Sequence, residues 1–229
     1  MNILEKAIDF TKFLIFCYIY RILKLERTFT IQGKQYKYLY HLHGAWKKER
    51  AVEVPIGWNE VKNHKGKNIL EVGNVLSHYY IIQHDVLDKY ERQTGVINED
   101  VVDFKPKKKY DLIVSLSTLE HVGYNECKEV QLIEKNKILL AIKNLKRCLA
   151  KGGKLVVTMP LGFNPSLDKK IWNEELGLDE EYYLKRISVS NRWVEIEKED
   201  IKDIKFGQPY PKANGLFIGI FTNNDNINL

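Results

Sequence analysis

A glycine with an acidic neighbour follows one of the apolar segments in the middle of the chain. In the stretch Ile69-Leu-Glu-Val-Gly73-Asn74, Glu71 stands two residues before Gly73. Glycine allows the backbone to approach a ligand closely, and a nearby carboxylate suits a ligand that carries an amino or sulfonium group. The fingerprint G-x-G-x-x-G and the Walker lysine pattern are both absent, so the loop is not predicted to hold a pyrophosphate.

Further carboxylates follow the next two apolar segments. Asp88 comes after Val86-Leu87, at a distance from the glycine loop that suits a group accepting both hydroxyl protons of a ribose. Glu99 and Asp100 precede Val101, which places carboxylates beside an apolar wall, a combination suited to an adenine amino group and its flat face. Because ligands bind beyond the carboxyl ends of parallel strands, we expect these side chains to share one crevice.

A fourth apolar segment, Asp111-Leu-Ile-Val-Ser115, leads into Leu119-Glu120-His121. His121 is the best candidate for a general base, because histidine changes its charge near neutral pH, and Glu120 is the second candidate. The alternative is that this Glu-His pair only shapes the pocket. Ser115 ends its predicted strand at the same edge of the sheet.

The spacing of apolar residues predicts alternating strands and helices around these groups. Buried parallel strands are apolar throughout, whereas a helix repeats apolar residues at every third or fourth position. The predicted strands include 68–72, 111–116, 154–159, 193–197 and 216–222, with a helix over 129–150. Strands joined by helices imply right-handed crossovers and a doubly wound, Rossmann-like parallel sheet of the α/β class. No helical pattern separates the last two strands, so they are predicted to pair with each other in antiparallel fashion.

The composition of the 229 residues describes a globular chain, since 44% are hydrophobic and 29% are charged. It excludes disordered and collagen-like classes. The three cysteines lie far apart without a C-x-x-C pair, so neither a disulfide framework nor a zinc ribbon is expected, and a cytoplasmic location fits best. The net charge of +6 is concentrated in residues 1–67, which carry 13 basic and 6 acidic side chains. We therefore divide the chain into an N-terminal extension, residues 1–66, and a main domain, residues 67–229.

The N-terminal extension contains the longest apolar run, residues 13–20, within a predicted helix over residues 3–24. This run is too short to span a bilayer, which needs about 20 residues. The helix therefore either packs on the protein or on a second copy of the chain, or lies in a membrane interface.

The rest of the extension is predicted to form a lid over the acceptor of a reaction in the crevice. His41, His43, Trp46 and Arg50 offer two imidazoles, an aromatic face and a cation. Aromatic faces suit sugars, and cations suit a phosphate or a carboxylate. No third ligand is identified beside the two histidines, so no metal site is expected.

Taken in order, these motifs resemble the class I S-adenosylmethionine-dependent methyltransferases, in particular their small-molecule branch of type 11. The resemblance rests on Ile69-Leu-Glu-Val-Gly73, Asp88, Glu99-Asp100, residues 110–115, Leu119-Glu-His121 and residues 149–155. It implies a seven-stranded sheet that ends in an antiparallel hairpin, and S-adenosylmethionine as the cofactor. Such families usually carry further glycines after the first one, where this chain has Asn74, Val75 and Ser77.

The resemblance also implies roles for individual residues. Glu71 and Gly73 match positions around the methionine part of the cofactor, and Asn74 follows them in the same loop. Asp88 matches the acid that binds the ribose, while Ser115 would lie near the sulfonium. The residues implied to bind the cofactor are Glu71, Gly73, Asn74, Asp88, Glu99, Asp100, Val101 and Ser115, with the adenine contacts at Asp100 and Val101.

The acceptor is predicted from what the sequence lacks. Enzymes that methylate exocyclic nitrogens usually carry an Asn/Asp-Pro-Pro-aromatic motif, where this chain reads Ser115-Leu-Ser-Thr118. The preferred acceptor is therefore a hydroxyl group of a sugar, a glycan or a related metabolite. Two alternatives stay open: a methyltransferase of RNA or another nucleic acid that uses the basic extension, and a scaffold that has kept the fold without catalysis. A nicotinamide-dependent oxidoreductase is disfavoured by the missing glycine fingerprint.

Overall fold

The computed structural model describes residues 11, 15, 27–40, 44–124 and 136–224. The helix predicted for residues 3–24 lies outside the described residues except for Thr11 and Ile15, and the first part of the helix predicted for residues 129–150 lies outside them as well. In the described part of the chain, none of the helices combines the length and the apolar character that a bilayer crossing needs.

A two-stranded hairpin, β1 (Thr28–Ile31) and β2 (Lys34–Lys37), precedes an eight-stranded mixed sheet. The strands of that sheet are β3 (Ile69–Val72), β4 (Asp85–Leu87), β5 (Val96–Ile97), β6 (Tyr110–Leu116), β7 (Leu149–Pro160), β8 (Glu180–Arg186), β9 (Trp193–Ile196) and β10 (Gly215–Thr222). Their order across the sheet is β5-β4-β3-β6-β7-β10-β8-β9. Neighbours from β5 to β7 are parallel, and the other neighbours are antiparallel. This arrangement confirms the predicted Rossmann-like α/β class.

The pairing predicted for the last two strands is wrong. β10 lies between β7 and β8, and β9 pairs with β8 at the edge of the sheet. The sequence analysis missed β8 because its sequence, Glu-Glu-Tyr-Tyr-Leu-Lys-Arg, is mostly charged. Leu216, Phe217 and Ile218 of β10 are all buried, as a strand inside a sheet requires. The sheet therefore has eight strands where seven were expected.

Helices cover both faces of the sheet. They are α1 (Arg50–Asn63), α2 (Lys137–Cys148) and α3 (Pro165–Trp172). Leu70 and Val72 of β3 belong to the core that contains α2 and α3, whereas Ile69 belongs to a core that contains α1. Successive side chains of a strand point to opposite faces, so this alternation is the mark of a strand buried on both sides.

The described part of the N-terminal extension is fixed to the sheet at two places. In α1, Gly57 lies so close to β6 that a Cβ atom there would be 2.8 Å from Cδ1 of Leu116. The β1–β2 hairpin lies beside β9, where the Trp193 amide donates to the Tyr38 hydroxyl over 2.7 Å. The hairpin thereby shields an edge strand, whose free backbone groups would otherwise invite pairing with another chain.

The loop between β7 and α3 is held by one asparagine. Asn164 caps α3, since its Oδ1 accepts from the amides of Ser166 and Leu167 at 3.1 and 3.2 Å. Its Nδ2 donates to the carbonyl oxygen of Glu120 over 2.9 Å. The start of α3 is therefore tied to the segment that follows β6.

We expect α2 to stabilise the protein through one face only. Leu145 is fully buried in the core, whereas Leu140 on the same helix is 53% exposed. Leu145→Ala should lower the free energy of unfolding by about 2–5 kcal/mol, because it removes buried methyl groups and leaves a cavity. Leu140→Ala is the matched control and should change it by less than about 0.5 kcal/mol. Urea unfolding measures both, and equal losses would contradict the described packing of α2.

Candidate active site

A cleft of about 480 Å³ opens at the carboxyl ends of β3 to β6, and we call it the switch-point cleft. The strand order reverses at β3, and this is where open α/β sheets bind their ligands. Its walls come from the loops after β3, β4, β5 and β6 and from the first residues of α1 and α2. Six of the residues predicted to bind the cofactor line the cleft: Gly73, Asn74, Asp88, Glu99, Asp100 and Val101.

Gly73 lies in the wall of the cleft, packed closely against the loop after β6. Its φ of 84° lies in the left-handed region that glycine adopts most readily. A Cβ atom at this position would be 2.1 Å from Oγ1 of Thr118, which belongs to the loop after β6. The loops after β3 and β6 therefore touch at Gly73, and a larger residue would push them apart.

The side chain of Glu71 does not line the cleft. It is fully buried below the loop, where Oε1 accepts from the amides of Val75 and Leu76 at 2.8 and 2.7 Å. Its Oε2 lies 2.9 Å from Nε2 of His84. Glu71 therefore shapes the glycine loop, whereas the sequence analysis assigned it to the cofactor itself.

Asn74 connects the loops after β3 and β4. Its Nδ2 donates to Oε1 of Glu91 over 2.8 Å, and Asn74 is 7% exposed. Its Oδ1 is buried and has no hydrogen-bond partner among the described residues. A buried amide oxygen of this kind at the wall of a cleft is a position where a ligand donor would be stabilised.

Asp88 stands at the end of β4, where the sequence analysis placed it. One carboxylate oxygen, Oδ1, accepts from the amides of Tyr90 and Glu91 at 2.8 and 2.9 Å. The other oxygen, Oδ2, accepts no hydrogen bond from the described residues. The backbone bonds orient the side chain and leave one acceptor atom for a ligand.

The far end of the cleft carries a charge cluster at Asp100. Oδ2 of Asp100 lies 2.9 Å from Nζ of Lys89 and 3.2 Å from Nζ of Lys137. Burial disfavours the charged carboxylate, but hydrogen bonds from the two lysines and from a backbone amide outweigh it and lower the pKa of Asp100 to about 2. Asp100 is thus engaged by protein cations, while Glu99 is exposed and Val101 is buried beside it.

Ser115 lies inside the sheet and does not line the cleft. It is fully buried, and its hydroxyl donates to the carbonyl oxygen of Val72 over 3.1 Å. The residues that reach the cleft from this segment are Ser117 and Thr118, one and two residues past the end of β6. Ser117 has a φ of 41°, so the chain turns sharply there.

A buried network centred on Glu53 holds this turn. The hydroxyls of Ser117 and Thr158 donate to Oε2 of Glu53 at 2.6 and 2.7 Å, and Glu53 is fully buried. The Arg50 guanidinium pairs with Oε1 of Glu53 and also donates to the carbonyl oxygen of Leu116 over 3.0 Å. α1 is thereby joined to the carboxyl ends of β6 and β7.

His121 lines the cleft, whereas Glu120 lies behind it. The His121 side chain is 50% exposed, and its Nε2 is 3.7 Å from Oε1 of Glu120. Glu120 is 2% exposed, and burial raises its pKa well above the usual range. Its Oε2 has no hydrogen-bond partner among the described residues.

Of the predicted acceptor residues, the structure places Arg50 in the wall of the cleft. His41 and His43 lie outside the described residues, as does the side chain of Trp46. The sequence analysis missed Glu53, Ser117, Thr118, Lys89 and Lys137. The signal for Glu53 was a single charge inside the apolar run Ala51-Val-Glu-Val54.

No protein-family model matches the sequence, and no curated protein matches it either. The fold is similar to that of solved methyltransferase structures. The N-methyltransferase NodS from Bradyrhizobium japonicum WM9, in complex with S-adenosyl-L-homocysteine, is 14% identical with a TM-score of 0.46, over 77% of this chain and 88% of that one. A methyltransferase from Archaeoglobus fulgidus is 12% identical with a TM-score of 0.45, over 77% and 96%. A sugar N-methyltransferase from Streptoalloteichus sp ATCC 53650 is 13% identical with a TM-score of 0.38, over 75% and 87%. These likenesses concern the fold.

We expect Gly73→Ala to destabilise the protein more than Gly95→Ala. Both glycines have left-handed φ values, 84° and 88°, but Gly95 has no atom within 4 Å of a built Cβ. Gly95→Ala should therefore lower the free energy of unfolding by about 1–2 kcal/mol, the cost of the conformation alone. Gly73→Ala adds the collision with Thr118. Denaturant unfolding of the two variants measures the difference, and similar losses would contradict the contact between the loops.

Proposed function

We propose that the protein transfers a methyl group from S-adenosylmethionine to a small polar acceptor. The observation that carries the proposal is the switch-point cleft. It brings together Gly73 after β3, the carboxylate of Asp88 after β4 and the apolar side chain of Val101 after β5. An adenosyl sulfonium presents ribose hydroxyls, a flat base and a charged tail. A carboxylate suits the hydroxyls, an apolar wall suits the base, and a glycine allows the backbone to approach the tail.

The residues of the cleft fit this cofactor in size and in chemistry. A volume of about 480 Å³ lies in the range of small-molecule sites. Oδ2 of Asp88 would accept from the ribose hydroxyls, since Oδ1 is held by backbone amides. Val72 and Val101 would contact the base from apolar side chains, and the Gly73 backbone would lie near the amino-acid end.

The chain's own residues would align the reaction and exclude water. When bound, S-adenosylmethionine supplies an already activated methyl group, so alignment of the acceptor contributes much of the catalysis. The Glu53 network fixes the turn at Ser117, and Thr118 packs closely against Gly73. These contacts define the edge of the cleft at which the acceptor would bind.

We propose a hydroxyl group as the acceptor, on a sugar, a glycan or a related metabolite. A hydroxyl must lose its proton as the new bond forms, and a general base assists that step. His121 stands at the open side of the cleft with a half-exposed imidazole, so it would accept this proton on a ring nitrogen. Phe163 packs against His121 at 5.1 Å between ring centroids and offers an aromatic face beside it.

Calorimetry with S-adenosylhomocysteine tests cofactor binding. Asp88→Ala should weaken binding by about 1–3 kcal/mol, because it removes hydrogen bonds between a charged acceptor and two hydroxyls. Asp103→Ala is the control, since Asp103 is an exposed carboxylate of the loop after β5 that does not line the cleft. If the unmodified protein does not bind S-adenosylhomocysteine at millimolar concentration, the proposal fails and the scaffold alternative gains support.

His121→Gln tests the role of the base. With labelled S-adenosylmethionine and a fraction of host extract that accepts the label, kcat should fall roughly 100-fold or more because proton removal loses its catalyst. Affinity for S-adenosylhomocysteine should stay unchanged. His78→Gln, at an exposed histidine outside the cleft, should leave both quantities unaffected. A His121→Gln enzyme with normal kcat would leave His121 with a structural role.

A further inference from the structure

Three segments at the amino ends of the central strands carry an excess of positive charge. Residues 62–68 precede β3 and contain three lysines, and residues 105–109 precede β6 and contain four. Residues 147–151, where α2 ends and β7 begins, contain an arginine and a lysine. None of the three segments contains an aspartate or a glutamate, and all nine cationic side chains are exposed. We call this surface the basic edge.

Contacts between the loops join these segments. The Asn68 amide donates to Oδ2 of Asp111 over 2.8 Å, and the Asp111 amide donates to the carbonyl oxygen of Asn68 over 2.8 Å. The segment before β3 therefore lies against the start of β6. Nζ of Lys109 donates to the carbonyl oxygen of Arg147, which joins the segment before β6 to the end of α2. The basic edge is thus one continuous surface that only the fold brings together.

The charge of the basic edge is not neutralised within the described part of the chain. Two neighbouring carboxylates, Asp85 and Glu60, already pair with lysines, at 3.0 Å from Nζ of Lys108 and 3.1 Å from Nζ of Lys154. Apart from Lys108 and Lys109, the cationic side chains of the basic edge make no hydrogen bond or ion pair with the residues that the structure describes. Because like charges repel one another, an external anion would stabilise this surface.

The basic edge lies at the opposite end of the sheet from the switch-point cleft. The cleft opens at the carboxyl ends of the parallel strands, whereas the three segments lie at their amino ends. The seven residues of β6 separate the two ends, a length of about 20 Å at the usual rise of a strand. A partner of the basic edge is therefore distinct from the ligands of the cleft, and it would leave the cleft open.

The composition of the basic edge fits an extended surface of anionic lipid headgroups. None of its cations lines the switch-point cleft or a second cleft beside β8 and β9, so neither cleft uses them to enclose a small anion. Eight of the nine cations are lysines, which act as point charges, and the three segments contain no Phe, Tyr or Trp on which a nucleic-acid base could stack. Clusters of lysines are attracted to anionic bilayers, and each lysine near the surface adds to the attraction.

We propose that the basic edge binds the surface of a bilayer that contains anionic lipids. Bound in this way, the protein holds the switch-point cleft about 20 Å from the lipid headgroups and open to water. This inference does not rest on the proposed function, because neither the cofactor nor the acceptor takes part in the contact.

Co-sedimentation of the full chain with vesicles tests the proposal. One set of vesicles contains phosphatidylcholine alone, and the other contains phosphatidylcholine and phosphatidylserine in equal parts. Binding to the anionic vesicles should be at least tenfold tighter than binding to the neutral ones. It should fall at least tenfold when the salt concentration is raised from about 0.1 M to about 0.5 M, because salt screens exposed charges. Equal binding to both sets, or binding to neither, would overturn the proposal.

A variant that removes three lysines assigns the binding to the basic edge. Lys67→Gln, Lys105→Gln and Lys107→Gln together change exposed side chains without a partner among the described residues, so the fold should be kept. Affinity for the anionic vesicles should fall at least tenfold, since each lysine contributes to the attraction. Lys62→Gln with Lys65→Gln changes the first segment alone. This double variant should also weaken binding, and it serves if the triple variant does not fold.

The matched control removes the same charge from the other end of the sheet. Lys185, Lys205 and Lys212 are exposed, and they lie at the end of β8 and in the segment before β10, near the carboxyl end of β7. Lys185→Gln, Lys205→Gln and Lys212→Gln together should weaken binding to the anionic vesicles less than threefold. Equal losses in the two triple variants would refute the basic edge as the contact, because net charge alone would then explain the binding.

A nucleic acid is the competing anionic partner. At about 0.15 M salt, the full chain should bind the anionic vesicles and give no change in fluorescence anisotropy with a labelled RNA duplex. Duplex binding that is lost in the triple variant of the basic edge would overturn the lipid assignment and make a nucleic acid the partner.

Discussion

The candidate active site depends on the buried carboxylate of Glu53. This side chain joins α1 to the ends of β6 and β7, since it accepts from Ser117 and Thr158 and pairs with Arg50. A carboxylate removed from water costs several kcal/mol unless partners replace its hydration. Displacement of α1, or of the turn after β6, would leave this charge unpaired. The position of the helix, the sharp turn at Ser117 and the edge of the cleft are therefore coupled by one interaction.

The loop after β3 forms a tight turn with a single glycine. Asn74 and Val75 follow Gly73 directly, and their side chains restrict the backbone. Glu71 compensates from below, because its carboxylate accepts from the amides of Val75 and Leu76, and His84 holds the carboxylate in place. The hydrogen bonds of Glu71 thus hold the conformation of this loop, which contains only one glycine.

Two charged clusters lie at or beside the cleft. Lys89 and Lys137 surround Asp100 after β5, so the carboxylate there is fully paired. Near Arg50, which lines the cleft after β6, Glu49 and Glu120 share this cation with Glu53, and Oε2 of each is buried with no hydrogen-bond partner among the described residues.

The sequence by itself determined the α/β class and most of the strands around the cleft. Apolar runs and the groups that follow them are local features, which is why Gly73, Asp88, Asp100 and His121 could be placed at strand ends from the sequence. Glu71 and Ser115 were assigned to the cofactor for the same reason, but both lie within strands. Side chains inside a buried strand point into the layers of the protein, whereas the cleft is lined by the last residues of strands, such as Val72 and Leu87, and by residues past the strand ends.

The tertiary structure alone decided the pairing of the last strands and the composition of the acceptor side. The charged residues of β8 hide the apolar pattern by which a strand is recognised in a sequence. Its pairing with β10 is visible only in the folded sheet. Glu53 meets Ser117 and Thr158 across separations of 64 and 105 residues. No local window contains such partners, and the burial of Glu53 exists only after the chain has folded.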